Sequence, residues 1–262
     1  FAGETNVGKS IFLHNMAVNI MKQNKKVILF SLEMSEQMYN IRITSTIAEL
    51  DNNTLKDNVE GIREGAMRFK MMRPDAGLVV KEYPPNSVTP ATLKTYTKQI
   101  ISTKKFKPDA IVVDYLNLLT SDGNNSYEKI KNISEQLRAL SYEFECPVIT
   151  ATQLNRSGYS GAGSSSQTQV YDQRGPGMSS VSESYGTGAT ADAVIGLFRT
   201  DQDKEDNAIH VNIMKNRFGI NHGVTRLGVN YRTMTVFEDE TLNENDEVND
   251  IELSAGEYGE KE

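Results

Sequence analysis

Eight residues near the start of the chain have the types and spacing of a phosphate-binding loop. The stretch Gly3-Glu4-Thr5-Asn6-Val7-Gly8-Lys9-Ser10 fits the pattern G-x-x-x-x-G-K-[ST]. Its glycines let backbone N–H groups point at phosphate oxygens, Lys9 adds a charge for the β- and γ-phosphates, and Ser10 offers a hydroxyl to Mg²⁺. The alternative is a glycine-rich turn with an incidental lysine. The nucleotide interpretation predicts as binding residues Gly3, Asn6, Val7, Gly8, Lys9, Ser10 and Ile11.

Two carboxylates follow apolar runs of the sequence. Asp114 ends the run "IVVD" and could hold the shell of a Mg²⁺ ion through water. Glu33 follows "VILFS" by two residues and should face the same crevice as Lys9, because ligands gather at the carboxyl ends of strands in open α/β sheets. A carboxylate there can orient and deprotonate an attacking water. The ordinary alternatives are a turn aspartate at 114 and a helix-capping or solvated glutamate at 33.

Three further polar residues have chemistry that suits a triphosphate site. Gln153 closes an apolar run, and its amide could sense a γ-phosphate or be an ordinary residue at a strand end. Lys215 and Arg217 fall at a predicted turn between strands. They could form a solvated turn, or project into the site of a neighbouring subunit as an arginine finger.

The elements that must position these residues alternate along the chain. Short apolar runs predict strands at 25–31, 77–83, 108–119, 146–153 and 192–199. Helices are predicted from Ile11 to Met21, from Ser35 through Ile47, at 89–102 and at 127–145, with 51–77 helical between polar breaks. From Ile209 onward, apolar and polar residues alternate, which predicts antiparallel strands. The pattern indicates an α/β fold with a mostly parallel central sheet covered by helices and antiparallel strands at its C-terminal edge.

Only Phe1 and Ala2 precede the glycine-rich loop. A phosphate-binding loop normally follows a buried strand. We therefore expect that strand to end at Phe1, with most of it outside this sequence.

The charge of the chain is unevenly distributed. The 262 residues carry a net charge of −7, and residues 238–262 contribute −10, so residues 1–237 carry +3. We predict one domain over 1–237 and an acidic disordered tail over 238–262. The single cysteine, Cys146, allows no internal disulfide and indicates a reducing compartment. No apolar run is long enough to predict a membrane span, so no membrane partner is expected.

Six motifs follow one another along the chain. They are the loop at 3–10, "FSLEM" (30–34), "IVVDYLNLL" (111–119), "ATQLNR" (151–156), "VSESYGTGATADAVIGLFR" (181–199) and "MKNRFG" (214–219). Their order is that found in DnaB-type replicative helicases, and over about residues 1–237 the chain resembles the C-terminal motor domain of that family, most of all its members from T-even-type phages. The segment "SEQLRAL" (134–140) is similar to a helix of those phage proteins.

The resemblance implies a RecA-like P-loop NTPase that binds ATP and Mg²⁺ and translocates 5′ to 3′ on single-stranded DNA as a homo-hexamer. It implies Glu33 as catalytic base, Asp114 as the Mg²⁺ partner through water and Gln153 as γ-phosphate sensor. Lys215 and Arg217 would act in trans on the adjacent subunit. Primase and a helicase loader are implied partners, and the compartment is the cytoplasm, that of an infected bacterium if a phage encodes the chain.

The same resemblance places DNA-contact loops at roughly 120–128 and 156–180. Arg156 and Arg174 are the predicted phosphate contacts there, and Tyr159 or Tyr171 could stack on a base. Two alternatives to a helicase motor remain open: a RecA-type recombinase or related DNA-dependent ring ATPase, and a non-catalytic scaffold that uses ATP only to assemble.

Overall fold

Two β-sheets form the centre of the fold. The structure, a computed structural model, describes residues 1–123, 125–153, 188, 190–219 and 223–238. The strands are β1 (Ala2–Gly3), β2 (Lys26–Ser31), β3 (Gly77–Glu82), β4 (Ala110–Asp114), β5 (Val148–Thr150), β6 (Thr152–Gln153), β7 (Ala193–Phe198), β8 (Ala208–Asn216), β9 (Val224–Asn230) and β10 (Thr235–Phe237). The helices are α1 (Lys9–Lys22), α2 (Glu36–Ala48), α3 (Val59–Met72), α4 (Pro90–Lys104), α5 (Ser126–Phe144) and α6 (Asp201–Glu205).

The strand order confirms the predicted architecture. One sheet has the order β3-β2-β4-β5 and is parallel throughout. The other has the order β10-β9-β8-β7-β1-β6, parallel from β6 to β7 and antiparallel from β7 to β10. Phe1 joins the two sheets, because its backbone nitrogen donates to Thr150 O at 2.7 Å and its carbonyl accepts from Thr152 N at 2.8 Å.

The core lies on both faces of the parallel strands. Successive side chains of β2 and β4 point to opposite faces, and since both faces are covered these strands are apolar at nearly every position. One face packs against α4 and α5, and its buried residues include Ile28, Phe30, Leu93, Ile100, Ile111, Val113, Leu137 and Leu140. The other face packs against α1 and α2, and its buried residues include Leu13, Val18, Leu29, Tyr39, Ile43 and Val112.

The two predicted strands that end near the candidate site are wrong in their bounds. The run at 108–119 forms a strand only to Asp114, and Leu116–Leu118 is a 3₁₀ helix. The run at 146–153 is two short strands, since Ala151 leaves the ladder and its carbonyl accepts from Leu116 N at 3.1 Å. Because both segments are apolar, the pattern of side chains gave no sign of where backbone pairing changes.

Three other predictions concern the first strand, a membrane span and the acidic tail. The strand before the loop covers Ala2–Gly3 rather than ending at Phe1. No helix among the described residues is long and apolar enough to cross a membrane. The predicted acidic tail lies outside the described residues from position 239 onward.

Candidate nucleotide-binding and catalytic site

The glycine-rich loop connects β1 to α1 and depends on two of its glycines. A Cβ at Gly3 would stand 2.7 Å from Val7 Cγ1 and 2.8 Å from Leu197 O, so no side chain fits there. Gly8 has a φ of +111° at the N-cap of α1, a conformation that L side chains rarely adopt. The loop therefore turns tightly into the N-terminus of a 14-residue helix, where unpaired N–H groups and the helix dipole favour an anion.

Lys9 is buried at the first position of α1. Its ammonium group donates to Gly3 O at 3.1 Å and to Glu4 O at 2.6 Å, so the side chain folds back over the loop. Burial lowers the pKa of Lys9, and the negative charges of Glu33 and Asp114 act in the opposite direction. A phosphate in the loop would offer this ammonium group a charged partner in place of two neutral carbonyls.

Asp114 ends β4 with its carboxylate fully buried. The Tyr39 hydroxyl donates to Oδ2, whereas Oδ1 has no hydrogen-bond partner among the described residues. Burial raises the pKa of this carboxyl, and the hydroxyls of Tyr39 and Ser10 lower it. A buried carboxyl group with one unpartnered oxygen and the Ser10 hydroxyl nearby fits a Mg²⁺ ion held by both residues through oxygen or water.

The described residues contain no cluster of three or more His, Cys, Asp or Glu side chains that could hold a metal ion alone. A Mg²⁺ ion bound together with a nucleotide needs no such cluster. That ion keeps several waters and is usually bound by one or two protein ligands together with the phosphates of a nucleotide.

Glu33 lies in the turn between β2 and α2. The turn is fixed at both sides: Leu32 N donates to Asp114 O at 2.7 Å, and Met34 N donates to Ser31 Oγ at 3.0 Å. Glu33 is exposed, and its negative charge partly opposes the lowering of the Lys9 pKa by burial and adds to the raising of the Tyr115 pKa by burial. An exposed carboxylate within electrostatic range of the loop lysine can accept a proton from water at this site.

Gln153 contacts the glycine-rich loop directly. Its Nε2 donates to Thr5 Oγ1 at 2.7 Å. Asn117 Oδ1 accepts from Thr152 Oγ1 at 3.0 Å and from Gln153 N at 3.2 Å, which fixes the end of β6. A change in the loop around a bound phosphate would therefore reach Gln153 through one hydrogen bond.

Lys215 and Arg217 are held beside the start of β7. Lys215 lies within β8 rather than in the predicted turn, and its ammonium group donates to Gly188 O at 2.7 Å. Arg217 directly follows β8, and its guanidinium pairs with Asp192 at 2.8 Å, the same carboxylate that Arg138 meets at 3.0 Å. Their predicted role on a neighbouring subunit stays a prediction.

The structure brings Lys9, Ser10, Glu33, Asp114 and Gln153 to the carboxyl ends of four parallel strands. The predicted DNA contacts Arg156, Tyr159, Tyr171 and Arg174 lie outside the described residues. Sequence reasoning missed Thr5, Tyr39 and Asn117. Thr5 was inside the recognised motif, but Tyr39 and Asn117 have no signal of their own because their partners are 75 and 35 residues away.

Comparison with known proteins adds independent findings. The profile of the family described as "DnaB-like helicase C terminal domain" matches residues 1–239. A DnaB-like replicative helicase of Enterobacteria phage T4 is 28% identical over 222 residues, 82% of this chain and 44% of that protein. The replicative DNA helicase DnaB of Geobacillus stearothermophilus is 31% identical over 232 residues, 83% of this chain and 47% of that protein. The chain thus spans just under half the length of these two relatives.

Two solved structures share the fold. One is described as an ATPase domain and has a TM-score of 0.72 and 23% identity, covering 91% of this chain and 83% of that one. The other is a DnaB-like replicative helicase studied with primase, also with a TM-score of 0.72 and 23% identity, covering 91% of this chain and 56% of that one.

Proposed function

The chain belongs to the DnaB-like helicase C-terminal domain family, and from this premise we propose that it is the motor domain of an ATP-driven replicative DNA helicase. In this proposal ATP hydrolysis moves a homo-hexameric ring 5′ to 3′ along single-stranded DNA and separates the duplex ahead of it. The observation that carries the proposal is the convergence of Lys9, Glu33, Asp114 and Gln153 on one glycine-rich loop.

Each residue of the site has a distinct task in hydrolysis. Loop N–H groups and Lys9 bind the phosphates, and Ser10 with Asp114 would hold Mg²⁺, which would neutralise the charge that develops on the phosphates as ADP leaves. Glu33 orients the attacking water and accepts its proton. Gln153, bonded to Thr5, passes the state of the loop to the segment that follows β6, where the DNA contacts are predicted.

The arginine finger of this proposal comes from the neighbouring subunit. Arg217 would leave Asp192 and approach the γ-phosphate of the adjacent copy, together with Lys215. Primase and a helicase loader are the proposed protein partners, and the cytoplasm, of an infected bacterium if a phage encodes the chain, is the proposed compartment. The family match and the relatives support a helicase over a recombinase or a scaffold.

The decisive experiment replaces the proposed catalytic base. In the protein carrying all its domains, Glu33→Gln should lower ATP turnover with single-stranded DNA by about 100-fold or more, the usual contribution of general base catalysis. Binding of a fluorescent ATP analogue should persist, because the loop and Lys9 are intact. Glu36→Gln, three residues along on α2, is the matched control. Undiminished turnover in Glu33→Gln would contradict the assignment, and loss of 5′-tailed unwinding in parallel with turnover would support it.

A further inference from the structure

Tyr39 is a buried tyrosine in the first turns of α2. The helix begins at Glu36, where the Ser35 side chain accepts from Met38 N at 3.2 Å. The Tyr39 ring is fully buried among Leu13, Val18, Leu29 and Val112. A buried hydroxyl in such apolar surroundings requires a partner, and the partner here is Asp114 Oδ2.

This hydrogen bond makes the two oxygens of Asp114 unequal. Oδ2 accepts from Tyr39, whereas Oδ1 has no partner among the described residues, and the Ser10 hydroxyl lies near the same carboxyl group. A carboxylate bonded at one oxygen has a fixed orientation. Groups that orient a metal-binding carboxylate in this way typically change metal affinity by 10- to 100-fold when removed.

The same contact ties together the elements on which the proposed chemistry depends. Leu32 N donates to Asp114 O, so the turn that carries Glu33 is bonded to the end of β4. Tyr39 follows that turn on α2 and bonds the Asp114 side chain. The proposed base and the proposed metal carboxylate are therefore connected by one backbone bond and one side-chain bond.

We propose that Tyr39 is a positioning residue for the magnesium site: its hydroxyl holds Asp114 so that Oδ1 would be available to a Mg²⁺ ion bound by Ser10, directly or through water. The proposal rests on the proposed function, because it requires Asp114 to serve Mg²⁺. Tyr39 acts through Asp114.

The test measures how nucleotide binding depends on Mg²⁺, without any turnover. The probe is mant-ADP fluorescence, titrated on the 262-residue chain in EDTA and at increasing MgCl₂. Tyr39→Phe keeps the ring and removes only the hydroxyl. We expect the affinity of this variant for mant-ADP in EDTA to be unchanged. The MgCl₂ concentration that gives half of the maximal effect on mant-ADP binding should rise by about tenfold or more.

Tyr96→Phe is the matched control, since Tyr96 is a half-buried tyrosine that packs on Phe30, on the opposite face of β2. It should bind like the unaltered chain in both conditions. A thermal melt of each variant establishes that the fold is retained. If Tyr39→Phe weakens binding equally in EDTA and in MgCl₂, its role is packing and the positioning proposal is overturned.

Asp114→Asn separates the positioning role proposed for Tyr39 from the role in Mg²⁺ binding proposed for Asp114. If Asp114→Asn leaves the Mg²⁺ requirement unchanged, the metal assignment itself fails. If Asp114→Asn raises the requirement and Tyr39→Phe does not, only the role of Tyr39 fails. We expect Tyr39→Phe as a single substitution to raise the Mg²⁺ requirement. When it is added to Asp114→Asn it should raise that requirement no further, because the hydroxyl acts through that carboxylate. An undiminished additional effect in the double variant would overturn the proposal.

Discussion

His14 is a fully buried histidine on α1, the helix that begins at the phosphate-binding loop. Its Nε2 lies 3.0 Å from Thr46 Oγ1, and its Nδ1 has no hydrogen-bond partner among the described residues. Burial, and then the nearby positive charge of Arg42, lowers the pKa of His14 to about 4. The imidazole is therefore neutral in the folded chain at neutral pH and helps to join α1 to α2.

This predicts an acid-sensitive contribution to stability. The folded pKa lies below the unfolded value of about 6.5, so stability is fully present above pH 6.5 and is lost as pH falls from 6.5 towards 4. The loss should approach about 3 kcal/mol at the acid end. Urea unfolding between pH 4 and 7 measures it, with His14→Gln as the comparison. If the two proteins lose stability in parallel as pH falls, His14 is not responsible.

Residue types and spacing predicted the polar residues that lie at the loop but not the residues that hold them. Lys9 and Ser10 belong to a local motif, Asp114 ends an apolar run and Glu33 follows one by two residues, so local sequence is enough to identify them as candidates. Tyr39 reads as a core residue on a helix because its polar partner depends on how α2 packs against β4.

Among the elements, α5 agrees closely with its predicted bounds and β4 does not. The apolar stripe of α5 recurs every three or four residues and ends at Phe144, so periodicity determines both the helix type and its buried face. Beyond Asp114 the sequence stays apolar while the backbone leaves the sheet. Hydrogen bonding between segments that are distant in sequence ends the strand there, and no local pattern records it.

The contacts between the end of β8 and Asp192 restrain Arg217, the proposed arginine finger. Asp192 holds Arg217 through its side chain at 2.8 Å, and Asp192 O accepts from Arg217 N at 2.9 Å. Both side chains are substantially exposed, and ion pairs of this kind are worth only about 0.2–1 kcal/mol. The carboxylate therefore competes weakly with any phosphate for this guanidinium.

Asp192→Asn should release Arg217 for the neighbouring site. In the protein carrying all its domains, we expect DNA-stimulated ATP turnover to rise about two- to fivefold, the factor that corresponds to the upper part of that energy range. The rise should be absent when Arg217→Ala is added. Lower turnover in Asp192→Asn alone would mean that the carboxylate orients the finger rather than restraining it.

At the scale of the whole molecule, the predicted trans arrangement means that the ATP site of each subunit is completed by residues of its neighbour in the ring. Lys9→Ala protein lacks a loop lysine but keeps Arg217, and Arg217→Ala protein has the reverse defect. Each should be nearly inactive alone. In mixed rings some interfaces combine an intact loop with an intact finger, so ATP turnover should partly return when the two are mixed. No restored turnover at any mixing ratio would count against a finger acting between subunits.

The position of β7 has a consequence for such a ring. On one side β7 pairs with β1, placing Leu197 beside Gly3 at the start of the phosphate loop; on the other it pairs with β8, placing Val194 beside Lys215. In the proposed ring, a single strand then connects the ATP that a subunit binds with the ATP whose hydrolysis it assists next door. Hydrolysis at successive sites around the ring would then be coupled through a single strand of six residues.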